Sequence, residues 1–260
     1  MAQGDKIEPD ASHASTLHRV EIARRDLLVN DRDAARIGSA RFHAVERGGV
    51  VCSIEARSHD DDTLDMERAL TVSCNAYFAQ LGTYDVGATA LHDTAALLGI
   101  SAGEIPEIRK MMPFAAYGQG PVLVTPFKMA RVAATIASGG AMPEGRWVLG
   151  DANPRKNATQ PILSPELADF LQGAMRLVVE SGTGRTAMRG LDIAVAGKTG
   201  TAQVEQGAPH SWFAGFAPYG GDPAKQIAFA VVVEHGGYGA QFAAPIARQI
   251  VEAARELGII

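Results

Sequence analysis

The sequence is poor in cysteine and has no long apolar run. Its 260 residues include two cysteines, Cys52 and Cys74, which are too few for a framework of disulfides. Cys74 lies inside an apolar helical pattern and is expected to be a small core residue, and the sequence leaves open whether it pairs with Cys52. Because no stretch of about 18 apolar residues exists, no transmembrane helix is predicted.

The N-terminus also lacks the apolar segment of a signal peptide, since it reads MAQGDKIEPDASHAS. Two interpretations follow from these absences. The chain is either a cytosolic protein or a fragment of a membrane-anchored parent, and the sequence alone does not separate the two.

Basic patches are absent as well. Charged residues make up 20% of the chain and the net charge is −5. The basic residues are scattered, so nucleic-acid binding is not indicated. The acidic run Asp60–Asp62 lacks the ligand spacing of a calcium loop. It is expected to be a solvated surface, and no metal site is predicted.

What remains is the pattern of one mixed domain with an α/β (α+β) fold. Residues 1–14 are polar and are predicted to form a disordered leader. Residues 15–260 are predicted to form a single domain, with a helical part over about residues 63–182 and a sheet part over about residues 191–260. The chain is 47% hydrophobic, which is enough for one large core or two interlocked subdomains.

Helix boundaries are predicted from apolar periodicity, capping residues and breakers. Residues 100–124 and 141–163 are predicted to be connections. The predicted helices are Leu17–Leu28, 64–82 with Thr63 as its cap, 86–99, 125–140 with Pro126 in its first turn, 164–182 with Ser164 as its cap, and 243–258.

Three strand-like segments fill the region from residue 191 onward. They are 191–205, 210–218 and 226–235, and turn residues separate them. Short connections between successive strands favour antiparallel pairing. The last predicted helix is expected to cover this sheet.

The first strand-like segment contains G-K-T-G-T at residues 197–201. Gly200 has no side chain and lets another backbone approach closely. Lys198 offers a cation, and Thr199 and Thr201 offer hydroxyls, a combination suited to a carboxylate. The backbone N–H of Thr201 can act as an oxyanion donor. The segment therefore indicates a strand edge that accepts an extended peptide with a carboxylate.

A second candidate is Ser73-Cys74-Asn75. Residues two apart do not share a face of a helix, but at a helix start or break both side chains can reach one cleft. The hydroxyl of Ser73 can relay a proton, and the amide of Asn75 can hold a lysine and a substrate carbonyl. Taken alone, the tripeptide is equally consistent with a small polar pair packed in a helix.

Six stretches together resemble one family, the transpeptidase domain of class B penicillin-binding proteins, which shares its fold with the serine β-lactamases. They come in the family's order over about residues 40–250. Ser73 and Asn75 match the family's S-x-N signature, and Lys198, Thr199 and Gly200 match K-T-G. The stretches are ALTVSCNAYFAQLG, AAYGQGPVLVTPFKMARVAATIASGG, VVESGTGRTA, VAGKTGTAQ, HSWFAGFAP and AAPIA.

The family's first signature, S-x-x-K, is missing, because no serine is followed three residues later by lysine. Thr125-Pro126-Phe127-Lys128 has a similar shape but lies in the family's structural VTP helix. The segment A-S-T-L-H-R-V at residues 14–20 resembles the family's G-S-T-F-K-x-V. It makes Ser15 the candidate nucleophile and His18 the candidate base in place of lysine.

A histidine at this position changes the chemistry of the base. Serine needs a base to take its proton, and a histidine of unperturbed pKa about 6.5 can do so at neutral pH. Serine and a base three residues apart lie on one helical face. Histidine is shorter than lysine, however, and a misplacement of about 1 Å can cost about a hundredfold in rate.

The resemblance implies a protein of the cell envelope that acts on or binds the D-Ala-D-Ala stem peptide of peptidoglycan and that β-lactams acylate. It implies no cofactor, no metal and, as further partners, division or elongation proteins. A catalytically impaired pseudoenzyme or scaffold module of cell-wall synthesis is the alternative, because the S-x-x-K lysine is absent. A β-lactamase is a third reading, for which Glu104 or Glu107 would have to supply the deacylating base.

Overall fold

The computed structural model describes residues 42–43, 63–145 and 159–260, with only the backbone at residues 42–43 and 63. These residues form helices around a small antiparallel sheet. The α-helices are α1 Met66–Val72, α2 Asn75–Leu81, α3 Gly87–Leu97, α4 Ile105–Lys110, α5 Met112–Ala115, α6 Pro126–Ala137, α7 Pro165–Glu180, α8 Arg185–Met188 and α9 Ala243–Glu256. A π-helix covers Gly82–Val86 and a 3-10 helix covers Pro223–Lys225.

The strands form two short pairs and one three-stranded sheet. The short pairs are β1 Phe42–His43 with β2 Thr63–Leu64, and β3 Ala141–Pro143 with β4 Thr159–Pro161. The main sheet has the order β5 Ala196–Ala202, β6 His210–Ala217 and β7 Ile227–Val233, all antiparallel. Lys198 lies opposite Ala214, and Thr201 lies opposite Ser211. Among the described residues no strand pairs with the outer edge of β5.

Helices cover both faces of this sheet. Alternate residues of a strand point to opposite faces, so Phe213 and Phe216 of β6 belong to different clusters. Phe213 stacks on Phe229 and packs with α9, whereas Phe216 packs against α6 and α7. Both phenylalanines are fully buried. Helices therefore pack on both faces of the sheet, and its outer edge at β5 has no strand partner among the described residues.

Much of the predicted fold is confirmed. The three strands pair antiparallel as expected, and α9 covers them. Helix α6 begins at Pro126 and α7 at Pro165, with Thr125 and Ser164 as their caps. The side chain of Thr125 accepts from the N–H of Lys128 at 3.3 Å, which accounts for the T-P-F-K sequence as a helix start.

Three predicted boundaries were wrong. Thr63 lies in β2, and Asp65 caps α1 by accepting from the N–H of Arg68 at 2.8 Å. The helix expected over 64–82 breaks at Ser73 and continues beyond Gly82 as a π-helix. The two predicted connections contain the short helices α4 and α5 and the strands β3 and β4. Short elements of this kind are set by tertiary packing rather than by local propensity.

Several predictions fall outside the described residues. These are the leader 1–14, the helix Leu17–Leu28, the candidates Ser15 and His18, the acidic run Asp60–Asp62, and Cys52. Cys74 is buried and disulfide-bonded. No helix in the described part of the chain has both the length and the apolarity needed to cross a bilayer.

Candidate active site

Lys198 and Ser73 meet at the open edge of the main sheet. The Nζ of Lys198 donates to the Oγ of Ser73 at 2.8 Å and to the carbonyl oxygen of Thr199 at 2.9 Å. These two residues are 125 positions apart in the chain. The structure therefore brings together residues of the two signatures, S-x-N and K-T-G.

The backbone at Ser73 explains how this helix-derived residue reaches the sheet. Ser73 has φ 58° and ψ 50°, a left-handed conformation that ends α1. Such a conformation is uncommon for a residue other than glycine, and its cost must be met by the surrounding structure. Cys74 then caps α2, its sulphur accepting from the N–H of Tyr77 at 3.4 Å. The break turns Ser73 out of the helix axis and toward Lys198.

Asn75 begins α2 directly after this break and is only partly buried. Its carboxamide makes no hydrogen bond to any residue that the structure describes. An amide offers both donors and an acceptor. Asn75 therefore has the capacity to bind a ligand amide beside Ser73.

Burial lowers the pKa of Lys198 to about 8 from its ordinary value of 10.5. Desolvation disfavours the charged ammonium, and none of the described carboxylates offsets it. At neutral pH the group is still mostly protonated, so it can attract an anion. A bound carboxylate would stabilise the desolvated ammonium of Lys198 through charge-assisted hydrogen bonds. The site is therefore electrostatically suited to an anionic ligand.

Thr199 has a partner that the sequence did not single out. Its hydroxyl is buried and lies 2.6 Å from the hydroxyl of Thr183. The N–H of Thr183 in turn donates to the carbonyl oxygen of Thr71, on α1 near Ser73, at 3.3 Å. Thr183 thus connects the K-T-G strand to the helix that precedes the S-x-N segment. Only the G-T-G-R-T stretch in the resemblance pointed to this region.

Thr201 faces the open edge of β5. Its carbonyl oxygen accepts from the side chain of Gln119 at 2.9 Å, so this group points away from β6. Within a strand the N–H and C=O of one residue project to the same side. The N–H of Thr201 therefore also faces the open edge, where an oxyanion donor is expected. Its hydroxyl accepts from the N–H of Gly239 at 3.3 Å.

Gly239 lies directly against the backbone of β5 and β6. A Cβ on Gly239 would lie 2.5 Å from the carbonyl oxygen of Trp212 and 2.9 Å from the N of Gly200. The loop before α9 thus rests directly on the backbone of β5 and β6. The nearest neighbour of a Cβ at Gly200 would instead be the Cβ of Trp212, at 3.0 Å.

We expect Gly239→Ala to destabilise the protein by about 1–3 kcal/mol, because the added methyl group has backbone atoms on several sides and no flexible side chain to displace. Thermal or urea unfolding measures this loss. Gly173→Ala is the matched control, since a Cβ at Gly173 in α7 meets nothing within 4 Å, and alanine is the better helix former. Equal stability of Gly239→Ala and the wild type would contradict the packing described here.

The described residues hold no group of three or more His, Cys, Asp and Glu side chains arranged to bind a metal ion. Ser15 and His18, the candidate nucleophile and base, lie outside the described residues. The geometry at hand therefore covers Ser73, Asn75 and the strand Lys198–Thr201. These residues make up the described part of the candidate site.

Comparison with known proteins agrees with this arrangement. The model of the penicillin binding protein transpeptidase domain matches residues 48–252. The peptidoglycan D,D-transpeptidase PbpA of Mycobacterium tuberculosis is 31% identical over 242 residues, which cover 80% of this chain and 46% of that protein. The chain thus spans about half the length of that curated relative. Ser15 and His18 precede the range matched by the family model.

Solved structures show the same fold. The crystal structure of PBPA from Mycobacterium tuberculosis superposes with a TM-score of 0.69 at 27% identity, covering 85% of this chain and 58% of that one. A penicillin G acyl-enzyme complex of penicillin-binding protein A from the same organism gives a TM-score of 0.66 at 29% identity, covering 86% of this chain and 58% of that one. With its S-x-N and K-T-G residues assembled at one strand edge, the chain belongs to the penicillin-binding protein transpeptidase domain family.

Proposed function

We propose that this domain binds the D-alanyl-D-alanine end of a peptidoglycan stem peptide along the open edge of β5. The observation that carries the proposal is the desolvated ammonium of Lys198, bonded to Ser73 beside an edge of β5 with which no described strand pairs. The ligand's terminal carboxylate is held by Lys198 and by the hydroxyls of Thr199 and Thr201. Its backbone pairs with β5 as an added strand.

The reaction we propose is acyl transfer through Ser15. His18 takes the proton of the Ser15 hydroxyl as its oxygen attacks the carbonyl carbon of the penultimate D-alanine. The N–H groups of Ser15 and Thr201 stabilise the oxyanion. The peptide bond then breaks, and the terminal D-alanine leaves with the proton. An amine acceptor next attacks the acyl carbon, the bond to the Ser15 oxygen breaks, and the proton of the amine passes through His18 to the Ser15 hydroxyl. β-Lactams acylate the same serine.

Ser73 and Asn75 support this reaction from the other side of the cleft. Ser73, which accepts from Lys198, is placed to relay a proton between Lys198 and the reacting groups. Asn75, whose amide is unengaged by the described residues, binds the ligand's carbonyl. We place this activity at the outer face of the cytoplasmic membrane, with division or elongation proteins as partners, because the curated relative is a peptidoglycan D,D-transpeptidase.

A second function is favoured by one observation, the S-T-L-H sequence at residues 15–18 in place of S-x-x-K. In this alternative the domain binds the stem peptide noncovalently as a pseudoenzyme or scaffold module. Both functions use the strand edge and Lys198. They differ only in whether Ser15 forms a covalent bond.

Labelling with a fluorescent penicillin, read by intact mass, separates the two functions. We expect one adduct per chain on the wild type and on Ser101→Ala, a control at an exposed serine, and none on Ser15→Ala. If the wild type forms no adduct under conditions that label an active relative, the acyl-transfer proposal fails. Peptide binding that survives Ser15→Ala but is lost in Lys198→Met then identifies the binding module.

A further inference from the structure

A cavity of about 240 Å³ lies between the end of α7, helix α8 and the segment that leads into β5. None of the residues that line it belongs to the candidate active site. Four apolar side chains contribute to the lining: Val179 and Met188 are buried, and Leu191 and Ile193 are half-buried. Sites for drug-sized ligands have volumes of roughly 300–1,000 Å³, so this smaller cavity suits a single side chain of a ligand.

Arg176 joins the cavity to the main sheet. Its Nη1 donates to the carbonyl oxygen of Val195, one residue before β5, at 2.9 Å. Its Nε lies 2.9 Å from the Oε1 of Glu180, and its guanidinium lies over the ring of Tyr219, 6.0 Å from the centroid. These contacts fix Arg176 in the wall of the cavity and compensate its charge.

Two further arginines, Arg185 and Arg189, line the same cavity and are exposed. Neither side chain forms an ion pair or a hydrogen bond with another residue that the structure describes. Glu180, the acidic residue of the lining, is already paired with Arg176. Although the whole chain has a net charge of −5, the cavity therefore carries two uncompensated cations.

Helix α9 holds the backbone that carries Arg189. The Nη1 of Arg248 donates to the carbonyl oxygen of Arg189 at 2.7 Å and to that of Ala187 at 3.4 Å. The charge of Arg248 is compensated by Glu252, which accepts from its Nε at 2.9 Å. Because the main chain is anchored at this point, less conformational freedom is lost when an anion binds beside it.

We propose that this cavity binds an acidic peptide segment of a partner protein, with an aliphatic side chain inside and carboxylates bonded to Arg185 and Arg189. A guanidinium presents paired N–H donors that match a carboxylate. The apolar part of the lining matches an aliphatic side chain, whereas a phosphate group would use the two arginines alone. The site is separate from the strand edge of β5, so the inference does not depend on the proposed function.

Three blocked peptides test the proposal: acetyl-Leu-Glu-Glu-Leu-amide, acetyl-Leu-Gln-Gln-Leu-amide and acetyl-Ser-Glu-Glu-Ser-amide. Two-dimensional NMR titration gives the dissociation constants and locates the site through the amide signal of Gly190 and the methyl signals of Leu191 and Ile193. We expect the first peptide to bind about threefold to thirtyfold more tightly than the glutamine peptide, which lacks both ion pairs. The serine peptide should bind about tenfold more weakly than the first, because it buries no aliphatic side chain.

The double variant Arg185→Gln/Arg189→Gln removes both guanidiniums at exposed positions. We expect it to bind the first peptide no more tightly than the wild type binds the glutamine peptide, and to lose the weakening by salt that the wild type shows. Arg109→Gln is the matched control, because Arg109 is an exposed arginine of α4 outside the cavity. It should leave all three affinities unchanged. Thermal unfolding at the wild-type temperature verifies that the double variant is folded.

Equal affinity for the acidic and glutamine peptides, or binding of the first peptide that survives in the double variant, overturns the proposal. Displacement by inorganic phosphate, with equal affinity for the leucine and serine peptides, overturns the peptide assignment in favour of a simple anion site. Binding to phosphatidylglycerol vesicles that the double variant loses, without binding of any peptide, overturns it in favour of a lipid surface. Lys198→Met should leave the response of Gly190 unchanged, which separates this test from that of the proposed function.

Discussion

Lys198→Met is expected to weaken binding of N-acetyl-D-alanyl-D-alanine by about thirtyfold to several thousandfold. Methionine keeps much of the length of the side chain but removes the ammonium that is bonded to Ser73 and Thr199. Removing one partner of a buried charged pair costs about 2–5 kcal/mol, which corresponds to that range of affinity. Isothermal calorimetry measures the loss.

The pH dependence of the wild type supplies an independent readout of the same group. In the free protein Lys198 is protonated below its pKa of about 8 and loses its proton above it. A bound carboxylate stabilises the charged form and raises this pKa. Affinity is therefore greatest below about pH 8 and falls as the pH rises through it, by up to about tenfold per pH unit. Lys198→Met should abolish this pH dependence.

Two controls keep this prediction specific. Lys225→Met removes an exposed lysine of the 3-10 helix and should leave affinity and its pH dependence unchanged. The amidated dipeptide, which has no carboxylate, should bind the wild type weakly and respond little to Lys198→Met. The variant Lys198→Met must first be shown to unfold at the same midpoint temperature as the wild type. If it then still binds the free-acid dipeptide, the assignment of Lys198 as the carboxylate partner is contradicted.

His18→Lys is expected to raise the rate of acylation by penicillin by about a hundredfold. It restores the S-x-x-K signature at Ser15, and it replaces the shorter histidine with the longer lysine side chain that the family uses as a base. Misplacement of a catalytic group by about 1 Å costs about this factor. The second-order rate constant for adduct formation, measured by stopped-flow fluorescence or timed mass spectra, gives the effect.

His13→Lys is the matched control, because it makes the same chemical change five residues earlier in the same segment. It should leave acylation unchanged. If His18→Lys acylates no faster than the wild type, or if both variants accelerate equally, Ser15 and His18 do not occupy the first signature. The nucleophile would then have to be sought elsewhere in the chain.

The sequence predicts best the features that depend on neighbouring residues. Proline and serine at the start of α7, and the apolar segments of β5 to β7, specify their elements locally. The order of the six family stretches identified the S-x-N and K-T-G signatures, and the structure brings Ser73 and Lys198 of these signatures within 2.8 Å of each other. The chemistry of the K-T-G segment could be predicted from the sequence because a lysine, a hydroxyl group and a glycine each have a distinct role at a strand edge.

Other features arise only from tertiary contacts. The left-handed conformation of Ser73 could not be predicted, because such a conformation is usually inferred from a glycine and this residue is a serine. It interrupts a segment whose apolar spacing predicts one helix. Thr183 and Gln119 contact β5 from other regions of the chain, and nothing in their own neighbourhoods gives the partner. The disulfide-bonded state of Cys74 likewise does not follow from its helical pattern.

The most direct test of the account is to locate the adduct. The wild type is incubated with penicillin G, digested and mapped by tandem mass spectrometry. The account predicts a penicilloyl group on the peptide containing Ser15 and on no other serine, with adduct formation slowed in Lys198→Met. A penicilloyl group on Ser73 or on any other residue, with Ser15 unmodified, would contradict it.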